Sequence, residues 1–398
     1  MSTFSQWKAR VLLATITFIE ALRCAFFQPK AAYPLIKAIG NLLRRGRRKS
    51  ALRFLLEDVG FSSYRLRCRL KLGRPSPKAF ERLHPISDEL ANYPDAAFTE
   101  KAARVKILVI RDGAMGDVLM ATPVIRALYR QRAPRVVIDV ATKVGGVFLN
   151  SPYINQVIPL EELGRKVREY DMVLDLNGVY ERSPKTHPVD AYARVALGAL
   201  DFDKQLELFP SSADVRRIED ALSALGDRFL VIHCPNHDWP NRRIPRARWQ
   251  QIMMQVASQT GWVLVQVGTS GDVSIENCPR IENHLGRYSM HELSVLISNS
   301  RGFIGVDAGP AHIAAATNTP ICVFYTCAHH ETRKPLRKSG RFLPLTPRID
   351  CYGCLTNHPF PRAGYHCKRN DNACTDAFDP VQVASKIFDF LKTIDPIE

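Results

Sequence analysis

Apolar positions in this chain fall into short runs separated by stretches of helical period. Residues 105–111 (VKILVIR), 136–140, 157–158 and 172–176 read as strands, and the apolar stripes at 118–129, 144–150 and 190–197 read as helices. A second cycle follows: helix 213–225, strand 229–233, helix 247–259, strand 263–267, helix 290–298, strand 303–306, a small-residue helix 313–317 and a final strand 321–324. Short apolar strands alternating with helical patterns predict mostly parallel sheets with helices on both faces. The chain is therefore expected to hold two α/β domains in series.

Ligands in such sheets sit beyond the carboxyl ends of strands, which draws attention to two turns. After the first strand comes Asp112-Gly113-Ala114-Met115-Gly116-Asp117. Gly113 and Gly116 permit a tight bend with exposed amides, and Asp117 falls at the start of a helix, where a carboxylate also serves as a simple cap. The turn lacks the GxGxxG pattern, which disfavours a nicotinamide cofactor. Arg111, Arg126 and Arg130 are candidates to face an acidic substrate, although Arg126 and Arg130, four apart, also suit the wet face of a helix. Asp201-Phe202-Asp203 imitates a metal-binding carboxylate pair, but its place in a short polar link makes a surface turn the better reading.

The second turn is Asp307-Ala308-Gly309-Pro310-Ala311-His312. Pro310 suits the first turn of a helix, Gly309 allows close approach, and the amides near Ala311 offer a rest for a diphosphate. Asp307 is placed to orient the loop and His312 to meet a phosphate or to pack. Arg242, in the cationic loop 235–245, has the planar donor fork that phosphates favour. Asp272 follows a strand and a glycine turn, where it is placed to accept hydrogen bonds from a ribose. Together these residues describe a nucleotide diphosphate held by the second domain and facing a carboxylate from the first.

Charge changes the picture at the N-terminus. The chain of 398 residues has a formal charge of +16, yet residues 1–104 carry 20 Lys/Arg against 8 Asp/Glu, leaving only +4 for the remainder. Helix-like segments broken near Pro29 and Pro34 precede the basic run 44–49, and together they predict a peripheral contact with an anionic membrane or a helical oligomerisation element. Nucleic acid is disfavoured as a partner, because aromatic interleaving is sparse and no binding module is recognisable. Residues 11–27 are apolar, but Glu20 and Arg23 interrupt them and no cleavage site follows, so neither a signal peptide nor a membrane span is expected.

Ten cysteines do not form a secreted disulfide pattern; six are scattered. The other four, Cys351, Cys354, Cys367 and Cys374, have the clustered spacing of a closed structural zinc or iron site in a reducing cytosol, with His358 and His366 as competing ligands.

The stretches 105–128, 241–249, 267–272 and 305–325 resemble the ADP-heptose glycosyltransferases of lipopolysaccharide synthesis (glycosyltransferase family 9) and the related heptosyltransferases of autotransporter adhesins. The resemblance implies a GT-B fold: two Rossmann-like domains facing across a cleft, here with a basic helical N-terminal extension and a four-cysteine metal knuckle near the C-terminus. Its implied boundaries are 1–103 for the extension, 104–210 for the acceptor domain, 211–349 for the nucleotide-sugar domain, 350–376 for the metal insertion and 377–398 for a helix returning to the first domain. It implies an ADP-sugar donor, an anionic glycolipid or protein acceptor, a cytoplasmic location and no catalytic divalent cation. Asp117 is similar to the family's aspartate base, and Asp307, Gly309 and His312 to its phosphate-contacting motif. Two departures stand out: Arg242 where the family has lysine, and Asp272 where it usually has glutamate. A similar four-cysteine iron site occurs in the adhesin-modifying branch. The competing functional class is a non-catalytic membrane- or nucleic-acid-binding adaptor that uses the basic arm and the knuckle alone. Oligomeric state is left open.

Overall fold

A computed structural model describes residues 104–393, apart from 182, 237, 238, 279, 338–340, 358–366 and 368. The expected N-terminal extension, with its basic run, and His358 and His366 lie outside the described residues.

Among the described residues, ten parallel strands build two sheets. The first has the order β3-β2-β1-β4, from β1 (Val105–Ile110), β2 (Val136–Ala141), β3 (Gln156–Ile158) and β4 (Met172–Asp175). The second runs β10-β9-β8-β5-β6-β7, from β5 (Phe229–His233), β6 (Val263–Val267), β7 (Ile281–Asn283), β8 (Gly302–Val306), β9 (Ile321–Phe324) and β10 (Phe342–Leu345). Both sheets thus reverse direction beside their first strand, at β1/β4 and at β5/β8, and such a reversal opens a crevice for ligands. The edge strands β7 and β10 were not legible as strands. They are three and four residues long, are mostly half-exposed, and gain their definition from pairing with β6 and β9.

Register brings the crevice loops to one level. Ile110 pairs with both Ala141 and Asp175, so the chain leaves β1, β2 and β4 together. In the second sheet His233 pairs with Val267, and Val306 pairs with Phe324. Both sheets belong to one compact unit.

The helix expected at 118–129 is divided in two. Helix α1 (Met115–Leu119) ends before α2 (Thr122–Arg132) begins, with Pro123 in the first turn of α2, where its missing N–H costs nothing. Arg126 of α2 is not on a wet face but 2% exposed. It donates to the carbonyls of Asp203 (2.6 Å) and Gln205 (3.0 Å) and pairs with Asp203 (3.4 Å) and with Glu207. The 203–207 link is therefore pinned by a buried cation, which accounts for Asp203 without a bound metal.

Helices α3 (Pro188–Ala196), α4 (Ser212–Leu225), α5 (Arg246–Thr260) and α6 (Met290–Ser298) follow the sequence reading to within a few residues. Ser211 and Ser289 start α4 and α6 with reciprocal capping boxes to Asp214 and Glu292. Helix α7 (Gly309–Ala315) begins earlier than periodicity indicated, at the glycine of the second turn itself. Helix α8 (Pro380–Lys392) packs against α5 and β10. Its stripe Val383, Ala384, Ile387 and Leu391 joins Trp249, Ile252 and Met253 of α5 in one cluster. Over this length its apolar stripe is buried against the helix and edge strand of the second sheet. Each fully buried aliphatic side chain in that cluster contributes about 1.5–3 kcal/mol.

Candidate active site

At the first reversal point the loops after β1 and β4 are tied by Arg111, which is 2% exposed. Its Nη1 lies 2.9 Å from Glu181 Oε1 and its Nη2 2.8 Å from Asp117 Oδ2. Burial works against this charge, but Tyr192, Asp117 and Glu181 around it hold the guanidinium pKa above its ordinary value. The Tyr180 hydroxyl donates to Asp117 Oδ1 at 2.8 Å. Burial, and then the neighbouring Asp117 and Glu181, push the Tyr180 phenol well up, so it stays protonated and remains a donor. Asp117 itself, in the first turn of α1, keeps 19% of its side chain accessible against 3% for Arg111. The site thus contains a carboxylate held from two sides and open on a third.

Glycine is required here by contact. A Cβ on Gly113 would stand 2.9 Å from both Arg111 Nη2 and Asp117 Oδ2, wedged into the ion pair. A Cβ on Gly116 would stand 2.8 Å from Cδ2 of His312, a residue of the second sheet's α7. Met115 packs over Gly309 in the same way, with its methyl 2.5 Å from where a Cβ would be. The two turns singled out in the sequence therefore abut.

The second reversal point is also closed by an arginine–carboxylate pair. Arg242 Nη2 lies 3.2 Å from Asp307 Oδ2, and its Nη1 donates to the Asp307 carbonyl at 3.2 Å. Its guanidinium stacks 4.6 Å from the Trp239 ring centre. Burial lowers the Arg242 pKa, Asp307 and Cys327 raise it, and the net direction is up. His312 Nε2 is 3.9 Å from Asp307 Oδ1, but burial outweighs Asp307 and Asp117 and keeps the imidazole below its ordinary pKa. Arg242 Nε and His312 Nδ1 are buried without a hydrogen-bond partner among the described residues. Two buried nitrogens left unpaired on adjoining side chains suit a polar ligand. Pro310 lacks an N–H, and the Ala311 amide already donates to Ala308 O at 3.0 Å, so the tip of α7 offers fewer free amides than expected.

Asp272 is placed after β6 and is well supplied with donors: Thr269 N (2.7 Å), Thr269 Oγ1 (3.0 Å) and Asn236 N (2.9 Å). Gly268, at φ +144°, approaches so closely that a Cβ would lie 2.5 Å from Asp272 Oδ2. The carboxylate thus shapes the turn and couples it to the loop after β5.

The four clustered cysteines form no disulfide among the described residues. Burial pushes the Cys374 thiol up to about 12, helped by Cys327, Cys351, Cys354 and Cys367 nearby. Its sulfur lies 3.9 Å from Asn241 O, and Cys367 Sγ lies 3.7 Å from Asp371 Oδ1. Among the described residues no three His, Cys, Asp or Glu side chains stand at metal-holding geometry.

Sequence reasoning missed Tyr180, Glu181, Tyr192, His187 and Arg333. The first two follow β4 directly, so their place at a strand end beside the reversal point was an available signal. The others reach the site from a helix interior, a helix cap and a later loop.

A family model described as glycosyltransferase family 9 (heptosyltransferase) matches residues 162–356. Two sequences of lipopolysaccharide heptosyltransferase 3 from Escherichia coli align. One is 40% identical over 57 residues, covering 14% of this chain and only 17% of that protein. The other, from strain K12, is 24% identical over 301 residues, covering 63% and 79%. The glycosyl transferase family 9 structure from Veillonella parvula superposes with a TM-score of 0.59 at 17% identity, covering 74% of this chain and 99% of that one. The iron-containing dodecameric glycosyltransferase TibC from enterotoxigenic E. coli gives a TM-score of 0.57 at 15% identity, covering 73% and 80%. The two-sheet α/β architecture is thus shared with these structures.

Proposed function

Given that the chain belongs to glycosyltransferase family 9, the heptosyltransferases, we propose that it transfers heptose from ADP-heptose to a hydroxyl of an anionic saccharide of the lipopolysaccharide type. Transfer inverts the anomeric centre, with Asp117 as general base. The observation that carries this reading is the contact of the Asp117 turn with the Asp307–His312 turn across Gly116 and His312.

Each carboxylate oxygen of Asp117 accepts one bond, from Arg111 or from Tyr180, and keeps a second lone pair for the acceptor hydroxyl. As the acceptor oxygen bonds to the anomeric carbon, its proton passes to Asp117. The bond from that carbon to the diphosphate breaks, and ADP leaves with the electron pair. Arg242 and His312 would stabilise the charge gathering on ADP, His312 as a neutral donor. Donor groups of this kind make a catalytic divalent cation unnecessary in this scheme.

In this reading residues 104–210 bind acceptor, 211–349 bind the nucleotide sugar, and 377–398 form the C-terminal helix that returns to the first domain. The basic residues 1–103 draw the chain to the cytoplasmic face of an anionic membrane. The thiols of Cys351, Cys354, Cys367 and Cys374, by their clustered spacing in the sequence, are proposed to hold structural zinc or iron within 350–376. The iron-containing relative is a precedent. Elemental analysis of protein purified without added metal tests this, and a folded chain free of both metals would defeat it. The cysteine cluster, through its likeness to the adhesin-modifying branch, favours a protein hydroxyl as a second acceptor.

The test is ADP release from ADP-heptose with lipid-linked saccharide and peptide acceptors, products being identified by mass. An adaptor would neither bind nor consume ADP-heptose. Protein glycosylation without saccharide transfer would move the acceptor to the second reading.

A further inference from the structure

The loop after β9 carries a cation that none of the assignments above uses. Arg333 is half-buried, with its guanidinium 4.8 Å from the centre of the Tyr180 ring, the same side chain that donates to Asp117. Tyr180 is thus faced by two guanidinium groups, since Arg111 lies 5.3 Å from the same ring centre. Arg111, Arg126 and Arg242 each pair with a carboxylate, whereas Arg333 pairs with none among the described residues. Its guanidinium donates from Nη1 to the neighbouring Thr332 carbonyl, 2.7 Å away.

The backbone that presents Arg333 is firmly held. Its N–H donates to His330 O (3.0 Å), its carbonyl accepts from Tyr325 OH (3.4 Å), and the Thr332 hydroxyl donates to His329 O (2.9 Å). The next residue, Lys334, is fixed through its carbonyl by His187 Nε2 at 3.0 Å. Because His187 Nδ1 accepts from Val189 N, the Nε2 atom carries the proton and donates. An arginine on a braced loop, stacked on an aromatic face and without a carboxylate, is preorganised for an anion from outside.

The surroundings indicate which anion. Arg242 pairs with Asp307 beside His312, and His312 abuts the Asp117 turn at Gly116. Arg333 stacks on the Tyr180 ring whose hydroxyl meets Asp117, so the two cations of the second sheet's loops stand on either side of one site. Arg333 is the one beside Tyr180 and Asp117, where the reacting carbon must lie, and the phosphate nearest that carbon is the terminal one of the departing ADP. We infer that Arg333 is a second arginine ligand of the donor diphosphate, contacting the phosphate bonded to the sugar while Arg242 serves the Asp307 side. This deepens the donor reading and rests on it.

Calorimetry on the full chain with ADP and with AMP tests the assignment. Arg333→Ala should weaken ADP about 10–100-fold, the loss expected for a charge-assisted contact, and AMP by less than about threefold. Arg333→Lys should restore part of the ADP affinity, because it keeps the charge but not the fork. Unchanged ADP affinity in Arg333→Ala, or equal losses for ADP and AMP, would overturn the assignment. Circular dichroism and thermal unfolding of both variants expose a collapsed loop, and Arg333→Lys then carries the comparison. Should the parent protein itself fail to bind ADP, the donor reading falls, a result distinct from failure of Arg333 alone.

Discussion

Replacing Asp117 by Asn separates chemistry from binding. The amide is isosteric, and the site can accommodate it: its oxygen can accept from Arg111 Nη2, while its NH₂ donates to the Tyr180 oxygen. Arg111 keeps Glu181 at 2.9 Å, so no buried cation is stranded. What is lost is the ability to take a proton. Loss of a positioned general base costs about 10²–10⁴ in rate, which corresponds to about 3–5 kcal/mol in the barrier. ADP binding should be no weaker, since Arg242 and His312 are untouched and a negative charge near the diphosphate has been removed. The assay is single-turnover transfer from ADP-heptose, in parallel with ADP calorimetry. A single-turnover rate within about twofold of the parent would refute the base assignment. A rate loss matched by an equal loss of ADP affinity would refute the division of labour between the two turns.

Gly116→Ala drives a methyl to 2.8 Å from the buried His312 ring; turnover should fall at least about tenfold, and stability by about 1–3 kcal/mol in urea unfolding. Wild-type values of both would show that the two turns do not meet in solution. Arg126→Met leaves Asp203 and Glu207 without their shared cation. A loss of about 2–4 kcal/mol is expected, below the full range for buried pairs because both carboxylates are partly exposed; an unchanged urea midpoint would contradict it. His187 is held down to about 4, chiefly by burial, against about 6.5 when unfolded. Between these values the unfolded chain binds the extra proton, so this term is fully present above about pH 6.5 and is lost as pH falls towards 4, by about 3 kcal/mol in all. His187→Asn should flatten the acid side of the stability curve, and parallel curves for parent and variant would exclude the effect.

Both sheets were legible because each central strand is a short, nearly all-apolar run, and Phe229–His233 is buried along its whole length. The edges escaped notice, since Ile281–Asn283 has little apolar content and owes its form to its neighbour. Asp117, Asp307 and His312 were visible as polar residues in the turns just past strand ends, and Arg242 as a cation in the long loop after β5. Their partners were harder to find. Tyr180 and Glu181 lie more than sixty positions from Asp117 and Arg111, and only the pairing of β1 with β4 brings them together. Arg126 misled because spacing along a helix does not reveal which face a distant link will cover. The stripe of helix α8 is likewise evident in the sequence, whereas its packing on α5 and β10 is not.

The interlock of Met115 with Gly309, and of Gly116 with His312, sets how closely the two turns approach. The spacing between the Asp117 carboxylate and the Arg242–Asp307 pair is therefore governed by two uncharged positions, and a single methyl at either one would act on both charged groups at once by changing the distance between them.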